Sequence, residues 1–144
     1  TGKVFRNTEL IASDAVAAQV AALGFDGLCI EGADRLFGGR RVTVPYRFAA
    51  APALAALPRH YRLSDDIAFR FSDRRWAAWP LHAERYAEWL HGEAAALPPQ
   101  AGGRGFVGLF MDYETFGEHQ WADTGIFDFM RALPGELLKH QGCR

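Results

Sequence analysis

Two acidic residues in this sequence follow short apolar runs in the same way. Glu31 comes directly after GLCI, residues 27–30, and Asp112 comes directly after GLFM, residues 108–111. The reactive groups of parallel α/β barrels lie at the carboxyl ends of strands, where the loops gather. Glycoside hydrolysis needs two carboxyl groups that flank one bond, one to attack the anomeric carbon and one to protonate the leaving oxygen. We therefore predict that Glu31 and Asp112 face one cleft.

Other interpretations of these residues stay open. An acidic residue after a strand is often a helix N-cap or a turn residue, and that role alone could account for Glu31 or for Asp112. Asp112, Glu114 and His119 could instead hold a metal ion in a barrel deacetylase or another metal-dependent hydrolase, although their spacing is unlike a standard zinc site. A third interpretation is a domain that binds α-glucans without catalysis.

The composition is that of one globular domain, residues 1–144. The chain is 49% hydrophobic and 23% charged, with a formal net charge of −1, so no basic surface for nucleic acid is expected. No apolar run approaches the roughly 18 residues of a membrane span. Cys29 and Cys143 lie far apart, which favours free thiols and a cytoplasmic location. Because Thr1 is not a methionine, we expect the numbering to start inside a longer protein.

The apolar patterns predict an α/β fold whose strands alternate with helices. The predicted strands are Lys3 to Arg6, Gly27 to Ile30, Asp66 to Phe71, and Phe106 to Met111. Continuous apolar strands need cover on both faces, as in a mostly parallel sheet. A closed (β/α) barrel uses about eight strands and about 250 residues, so four strands predict part of a barrel.

Helix signals fill the spaces between these strands. The predicted helices run from the N-cap Ser13 to about Leu23, from Leu81 to about Leu97, and from the cap Thr124 to Pro134. Prolines interrupt residues 42–58, which predicts a long loop with at most one helical turn.

Several segments resemble the middle of the α-amylase-type members of glycoside hydrolase family 57. They are VFRNTEL, LGFDGLCIEGADR, YRLSDDIAFRFS, FMDYETFGEHQW and TGIFDFMRALP, spread from about Val4 to Pro134. The resemblance implies a fragment of a seven-stranded (β/α) barrel that acts on α-glucans such as starch, glycogen or maltooligosaccharides, with retention and without a metal or other cofactor. It also implies that Glu31 is the nucleophile and Asp112 the general acid/base. Transferase or branching activity on the same pair is the alternative.

The resemblance and the local sequence together suggest further substrate-binding residues. These are Glu114, His119, Trp121, Arg6, Asp66, Tyr46 and Arg47. Arg6 is a candidate to keep Glu31 ionised through a charge-assisted bond. The early His-Gln-Pro motif of the family has no counterpart in this chain, so we expect the remaining barrel segments of the parent chain to complete the site. The fragment alone is expected to be inactive.

Overall fold

The computed structural model describes residues 2–96 and 105–140. The chain divides into two compact units, the first formed by residues 1–61 with 97–109 and the second by residues 62–96 with 110–144. Strands and helices are both present, so the predicted mixed α/β class is confirmed. Within the described ranges, no helix has the length and apolar character to cross a membrane.

A four-stranded sheet forms the centre of the first unit, in the order β1-β2-β4-β3. The strands are β1 (Val4–Arg6), β2 (Gly27–Ile30), β3 (Tyr46–Arg47) and β4 (Ala55–Pro58). β2 pairs in parallel with both β1 and β4, whereas β3 pairs antiparallel with β4. The predicted strand at 27–30 is confirmed, and its central place explains why the GLCI run is apolar without alternation.

One helix, α1 (Asp14–Ala22), packs on this sheet. Its predicted cap is confirmed, because the Val16 amide donates to the Ser13 hydroxyl oxygen at 3.2 Å. The buried residues of this core are Ala17, Val20, Leu28, Ala51 and Leu54. Since β2 carries Leu28 into this core, α1 fixes the strand that ends at the predicted nucleophile.

The predicted long loop at residues 42–58 is wrong, because β3 and β4 lie within it. Pro45 stands directly before β3, Pro52 lies before β4, and Pro58 is the last residue of β4. The prolines therefore bound the strands rather than interrupt one, as the missing amide of proline requires. The alanine-rich sequence of β4 hid it, because alanine has little preference for strands.

The predicted strand at 106–111 is also wrong. The segment forms one parallel bridge, between Gly108 and Arg59, and the His60 amide donates to the Gly108 carbonyl at 2.7 Å. The Phe106 amide donates to the Thr43 carbonyl at 3.1 Å. Residues 105–109 thus extend beside the end of β4 without building a ladder.

Three helices lie wholly or mostly in the second unit, which also contains a cluster of aromatic rings. They are α3 (Tyr61–Asp65), α4 (Ala83–Ala95) and α5 (Ile126–Leu138), and a short α2 (Asp34–Phe37) belongs to the first unit. The Phe129 ring lies 5.0 Å from Phe71 and 5.6 Å from Tyr86 in edge-on geometry. The predicted α4 is confirmed within its range, and its predicted end at Leu97 lies outside the described residues.

The predicted strand at Asp66–Phe71 is wrong, because Asp66–Arg70 forms a π-helix that continues α3. A strand would bury Ile67, Phe69 and Phe71 on one face, but Phe69 is 66% exposed. Ala68 is buried in its place, which gives the burial spacing of a helix. The alternation of large apolar residues was therefore misleading.

The prediction that Pro134 ends the last helix is wrong as well. α5 continues to Leu138 with Pro134 inside it. Pro134 is exposed, so the carbonyl that loses its amide partner can face water. The predicted start is close, because the Ile126 amide donates to the Thr124 hydroxyl oxygen at 3.4 Å.

Candidate active site

Glu31 follows the last residue of β2 and lines a pocket of about 330 Å³ in the first unit. Its side chain is 30% exposed, so the carboxylate is reachable from the pocket. Arg40, Tyr46 and Arg47 supply the other polar groups of the lining. The apolar part of the wall consists of Leu10, Ala12, Ile30, Leu36, Phe37, Phe48 and Ala56. We call this cavity the Glu31 pocket.

The two oxygens of Glu31 have different partners. Oε1 accepts a hydrogen bond from the Gly32 amide at 2.8 Å. Oε2 lies 3.7 Å from Nη1 of Arg59, which is an ion pair beyond hydrogen-bond length. Sequence reasoning named Arg6 for this role. In the structure Arg6 is an exposed residue of β1 in register with Cys29, and Arg59 is an arginine that contacts Glu31.

Tyr46 and Arg47 reach the Glu31 pocket from β3. The Tyr46 hydroxyl donates to the Arg41 carbonyl at 2.6 Å, and its ring lies 5.4 Å from the Phe37 ring. The Arg47 guanidinium donates to the Ala53 carbonyl at 2.7 Å. These bonds fix one ring and one cation in the lining of the pocket that Glu31 also lines, a combination that suits the faces and hydroxyl groups of a sugar.

Asp112 lies in the second unit, where it begins a short 3₁₀ turn, Tyr113–Thr115. Its carbonyl accepts from the Thr115 amide at 3.0 Å, and its side chain is exposed. Asp112 is therefore a turn residue by its backbone, which is one of the two roles that the sequence left open. An exposed carboxyl group at a turn is also available for proton transfer, so the two roles are compatible.

Glu114, in this turn, pairs with His119, which lies in the loop that follows it; the whole segment 112–121 is called the Asp112 turn below. His119 Nε2 lies 3.5 Å from Glu114 Oε1, and both side chains are about half exposed. The His119 amide also donates to the Glu114 carbonyl at 3.2 Å. Trp121 ends the turn with a largely exposed ring. These side chains form a polar and aromatic surface that starts at Asp112.

Gln120 holds this turn in place and was missed by sequence reasoning. Its side chain is 2% exposed and donates through Nε2 to the Ala68 carbonyl of the π-helix at 3.0 Å. The backbone amide of Gln120 donates to the Thr115 carbonyl at 2.9 Å, and its backbone carbonyl accepts from the Gly117 amide at 3.0 Å. No sequence signal separates this buried amide from the exposed polar residues beside it.

Asp66 takes part in a structural ion pair of the π-helix. Its Oδ1 accepts from Arg70 Nε at 2.6 Å. Burial raises the pKa of Asp66 above its ordinary value, and the Arg70 hydrogen bond opposes that shift. Burial also raises the pKa of Tyr86, with a smaller contribution from the charge of Asp66. A substrate-binding role for Asp66 stays a prediction.

The predicted site residues thus fall into two groups. Glu31, Tyr46 and Arg47 line the Glu31 pocket of the first unit. The second group, in the second unit, consists of Asp112, Glu114, His119, Trp121 and Asp66. Arg6 belongs to neither group and lies on β1 of the first unit. Across residues 2–96 and 105–140, no three His, Cys, Asp or Glu side chains gather in the way that a metal ion requires.

Comparisons with known proteins agree with one another. Residues 1–143 match the sequence model of glycosyl hydrolase family 57. A protein of Methanocaldococcus jannaschii named "Putative alpha-amylase" is 45% identical over 139 residues, which cover 96% of this chain and 27% of the relative. The chain therefore spans little more than a quarter, 27%, of the curated relative that it matches. No solved structure matches significantly.

Proposed function

This chain belongs to glycosyl hydrolase family 57, and we propose that it supplies the carboxylate pair of a retaining α-glucan hydrolase. In this proposal Glu31 is the nucleophile and Asp112 is the general acid/base. The chain is in this proposal a part of a seven-stranded (β/α) barrel, and other segments of the whole protein supply the remaining strands. The choice of α-glucans rests on the family and on the name of the relative.

The observation that carries the proposal is the position of Glu31. A partly exposed carboxylate stands at the carboxyl end of a buried, central, parallel strand and opens into a pocket with an aromatic ring and guanidinium groups. This is where reactive groups lie in parallel α/β folds. A glutamate that served only as a turn residue would not need a pocket of that lining.

The mechanism is a double displacement. The ionised Glu31 attacks the anomeric carbon, the glycosidic bond breaks, and the protonated Asp112 gives its proton to the departing oxygen. Asp112 then removes a proton from water, which attacks the same carbon and releases Glu31. Retaining chemistry requires two carboxyl groups close together, and we predict that those of Glu31 and Asp112 lie about 5 to 6 Å apart in the whole protein.

The other predicted residues have supporting roles in the proposal. Tyr46 and Arg47 bind sugar in the Glu31 pocket, whereas Glu114, His119 and Trp121 bind it beside Asp112. Support comes from the pocket lining for the first group and from the exposed turn for the second. Arg6 and Asp66 complete the proposed set: Arg6 is exposed on β1, and Asp66 accepts a hydrogen bond from Arg70.

The experiment compares the whole protein that carries this chain with Glu31→Gln and Asp112→Asn on a maltooligosaccharide. Each variant is assayed with and without a chelator, and circular dichroism monitors folding. We expect turnover to fall at least about 10⁴-fold in both variants, because each removes a group that acts in the transition state. Retained activity in either variant contradicts the carboxylate pair, and loss on chelation supports the metal-dependent alternative.

Product analysis distinguishes hydrolysis from transfer. A hydrolase releases one new reducing end for each bond it breaks, whereas a transferase or branching enzyme forms longer or branched chains from a maltooligosaccharide without a matching gain of reducing ends. Hydrolysis is the expected result. Longer or branched products would keep the carboxylate pair and change only the acceptor.

A further inference from the structure

We propose that Arg59 is a positioning residue for Glu31, and that it leaves Oε2 as the oxygen that attacks the anomeric carbon. This inference rests on the proposed function, because it assigns a role to a neighbour of the proposed nucleophile. Arg59 acts through Glu31 and is not itself placed on the substrate.

The unequal bonding of the two Glu31 oxygens is the first step. Oε1 accepts a 2.8 Å hydrogen bond from the Gly32 amide, so one of its lone pairs is directed away from any sugar. Among the residues that the structure describes, Oε2 contacts Arg59 in a 3.7 Å ion pair, which is too long to direct a lone pair. Oε2 is therefore the better nucleophile, and the Arg59 guanidinium faces this oxygen.

The backbone fixes Arg59 next to Glu31. Beyond Pro58 the chain continues as a strand, and the Arg59 amide donates to the Ile30 carbonyl at 2.8 Å. On its other side Arg59 forms the parallel bridge with Gly108. Arg59 is thus held between two extended segments, one residue beyond the end of β4 and directly beside the residue before Glu31.

Gly32 is what permits this approach. A Cβ at position 32 would lie 1.9 Å from the Arg59 carbonyl oxygen, closer than any side chain allows. The same glycine supplies the amide that binds Oε1 of Glu31. One close contact therefore brings both the amide and the guanidinium to the carboxylate.

The partial burial of Arg59 and Glu31 strengthens the attraction between their charges. The Arg59 side chain is 15% exposed and the Glu31 side chain 30%, so water screens the two charges less than it screens an ordinary surface pair. An arginine stays charged throughout the working pH range. Arg59 can therefore orient the ionised Glu31 throughout that pH range.

The chemistry of the two steps follows. In the first, the Oε2 lone pair forms the bond to the anomeric carbon, the glycosidic bond breaks, and its electron pair leaves on the oxygen that Asp112 protonates. Oε1 becomes the carbonyl oxygen of the glycosyl ester and still accepts from Gly32. In the second, Asp112 takes a proton from water, the water oxygen bonds to the anomeric carbon, and the ester bond to Oε2 breaks; the Arg59 guanidinium stabilises the negative charge that returns to Oε2.

The test measures kcat and KM of the whole protein on a maltooligosaccharide for Arg59→Gln and Arg59→Lys. The matched control is Arg62→Gln, which removes a more exposed arginine that pairs with Glu93 at 3.8 Å. We expect Arg59→Gln to lower kcat about 100-fold while KM changes by no more than about twofold, because misplacement of the nucleophile acts mainly on the chemical step. Arg59→Lys should recover about tenfold of this loss, since it keeps the charge without the guanidinium geometry.

Two further arms make the outcome decisive. If Glu31→Gln keeps its turnover, the proposed function fails; if it loses turnover while Arg59→Gln matches the wild type, only the Arg59 inference is overturned. Should Arg59→Gln not fold, Arg59→Lys decides: reduced kcat at an unchanged Tm supports the inference, and wild-type kcat contradicts it. A loss in Arg62→Gln equal to that in Arg59→Gln would show a general effect of charge and would also overturn it.

Discussion

The Glu31 pocket and the turn that carries Asp112 are built in different ways. Glu31 stands on a central strand that is hydrogen-bonded on both sides and packed under α1. Asp112 stands on an exposed 3₁₀ turn whose anchor is one buried amide, Gln120. Groups on regular elements are placed more accurately than groups on loops. The proposed nucleophile therefore has a rigid support, whereas the position of the proposed acid/base can change more easily.

The strongest way to break the rigid support is Gly32→Ala. The added Cβ would meet the Arg59 carbonyl oxygen at 1.9 Å, so β2 and β4 must separate where they hold Glu31. We expect a loss of about 3 kcal/mol in the free energy of unfolding, measured by urea denaturation. The matched control is Gly92→Ala in α4, where a Cβ meets nothing within 4 Å.

The Gly92→Ala control should gain about 0.5 to 1 kcal/mol, because alanine favours a helix more than glycine does. If Gly32→Ala unfolds at the same urea concentration as the wild type, Gly32 and the Arg59 carbonyl are not in close contact. Glu31 would then be held less firmly than we propose.

The turn depends on Gln120, and Gln120→Met should loosen it. Methionine keeps the length of the side chain but leaves the Ala68 carbonyl without its donor, at a cost of about 1 to 3 kcal/mol. Hydrogen exchange of the amides in residues 113–120 should accelerate more than exchange in β2.

A second glutamine provides the control for this variant. Gln19 is an exposed residue of α1, so Gln19→Met should change stability by no more than about 0.5 kcal/mol. Equal acceleration of exchange in β2 and in the turn would contradict the view that the two regions are supported separately.

A smaller effect is expected from His119→Ala. The Glu114–His119 pair is 3.5 Å long and half exposed, so its loss should cost less than about 1 kcal/mol of stability. Thermal denaturation measures this cost. If activity on a maltooligosaccharide falls while Tm is unchanged, His119 acts on the substrate. A large fall in Tm would show that the Glu114–His119 pair stabilises the fold, which contradicts the prediction.

The smallest effect concerns pH and the π-helix. Burial raises the pKa of Asp66 in the folded state, so its contribution to stability is present below its unfolded pKa and is lost as pH rises through its folded pKa. Asp66→Asn removes this titration. The Tm of the variant relative to the wild type should therefore increase with pH in the acidic range, and a difference that is constant with pH would contradict the assignment.

The sequence predicted the parts of the fold that local patterns determine. Ser13 and the spacing after it gave α1, and the run at 27–30 gave β2, because capping and continuous burial leave clear signals. The same strand end led to Glu31. Tyr46 and Arg47 were chosen by resemblance, and the structure places them in the Glu31 pocket.

The errors arose where tertiary contacts decide the local structure. β4 consists of alanine, leucine and proline and is a strand because β2 and β3 pair with it. Asp66–Arg70 alternates like a strand but buries Ala68 and exposes Phe69 as part of a helix. Arg59 and Gln120 have no local motif at all, since their roles depend on partners distant in the sequence.

Glu31 is the proposed nucleophile, and it follows the strand that is paired on both sides. The most direct test treats the whole protein with 5-fluoro-α-glucosyl fluoride, which forms a slowly hydrolysed ester with a retaining nucleophile, and locates the added mass by peptide mapping. We predict a single adduct on Glu31 that is absent in Glu31→Gln. An adduct on another residue, or turnover of a maltooligosaccharide with inversion and no adduct, would contradict the account.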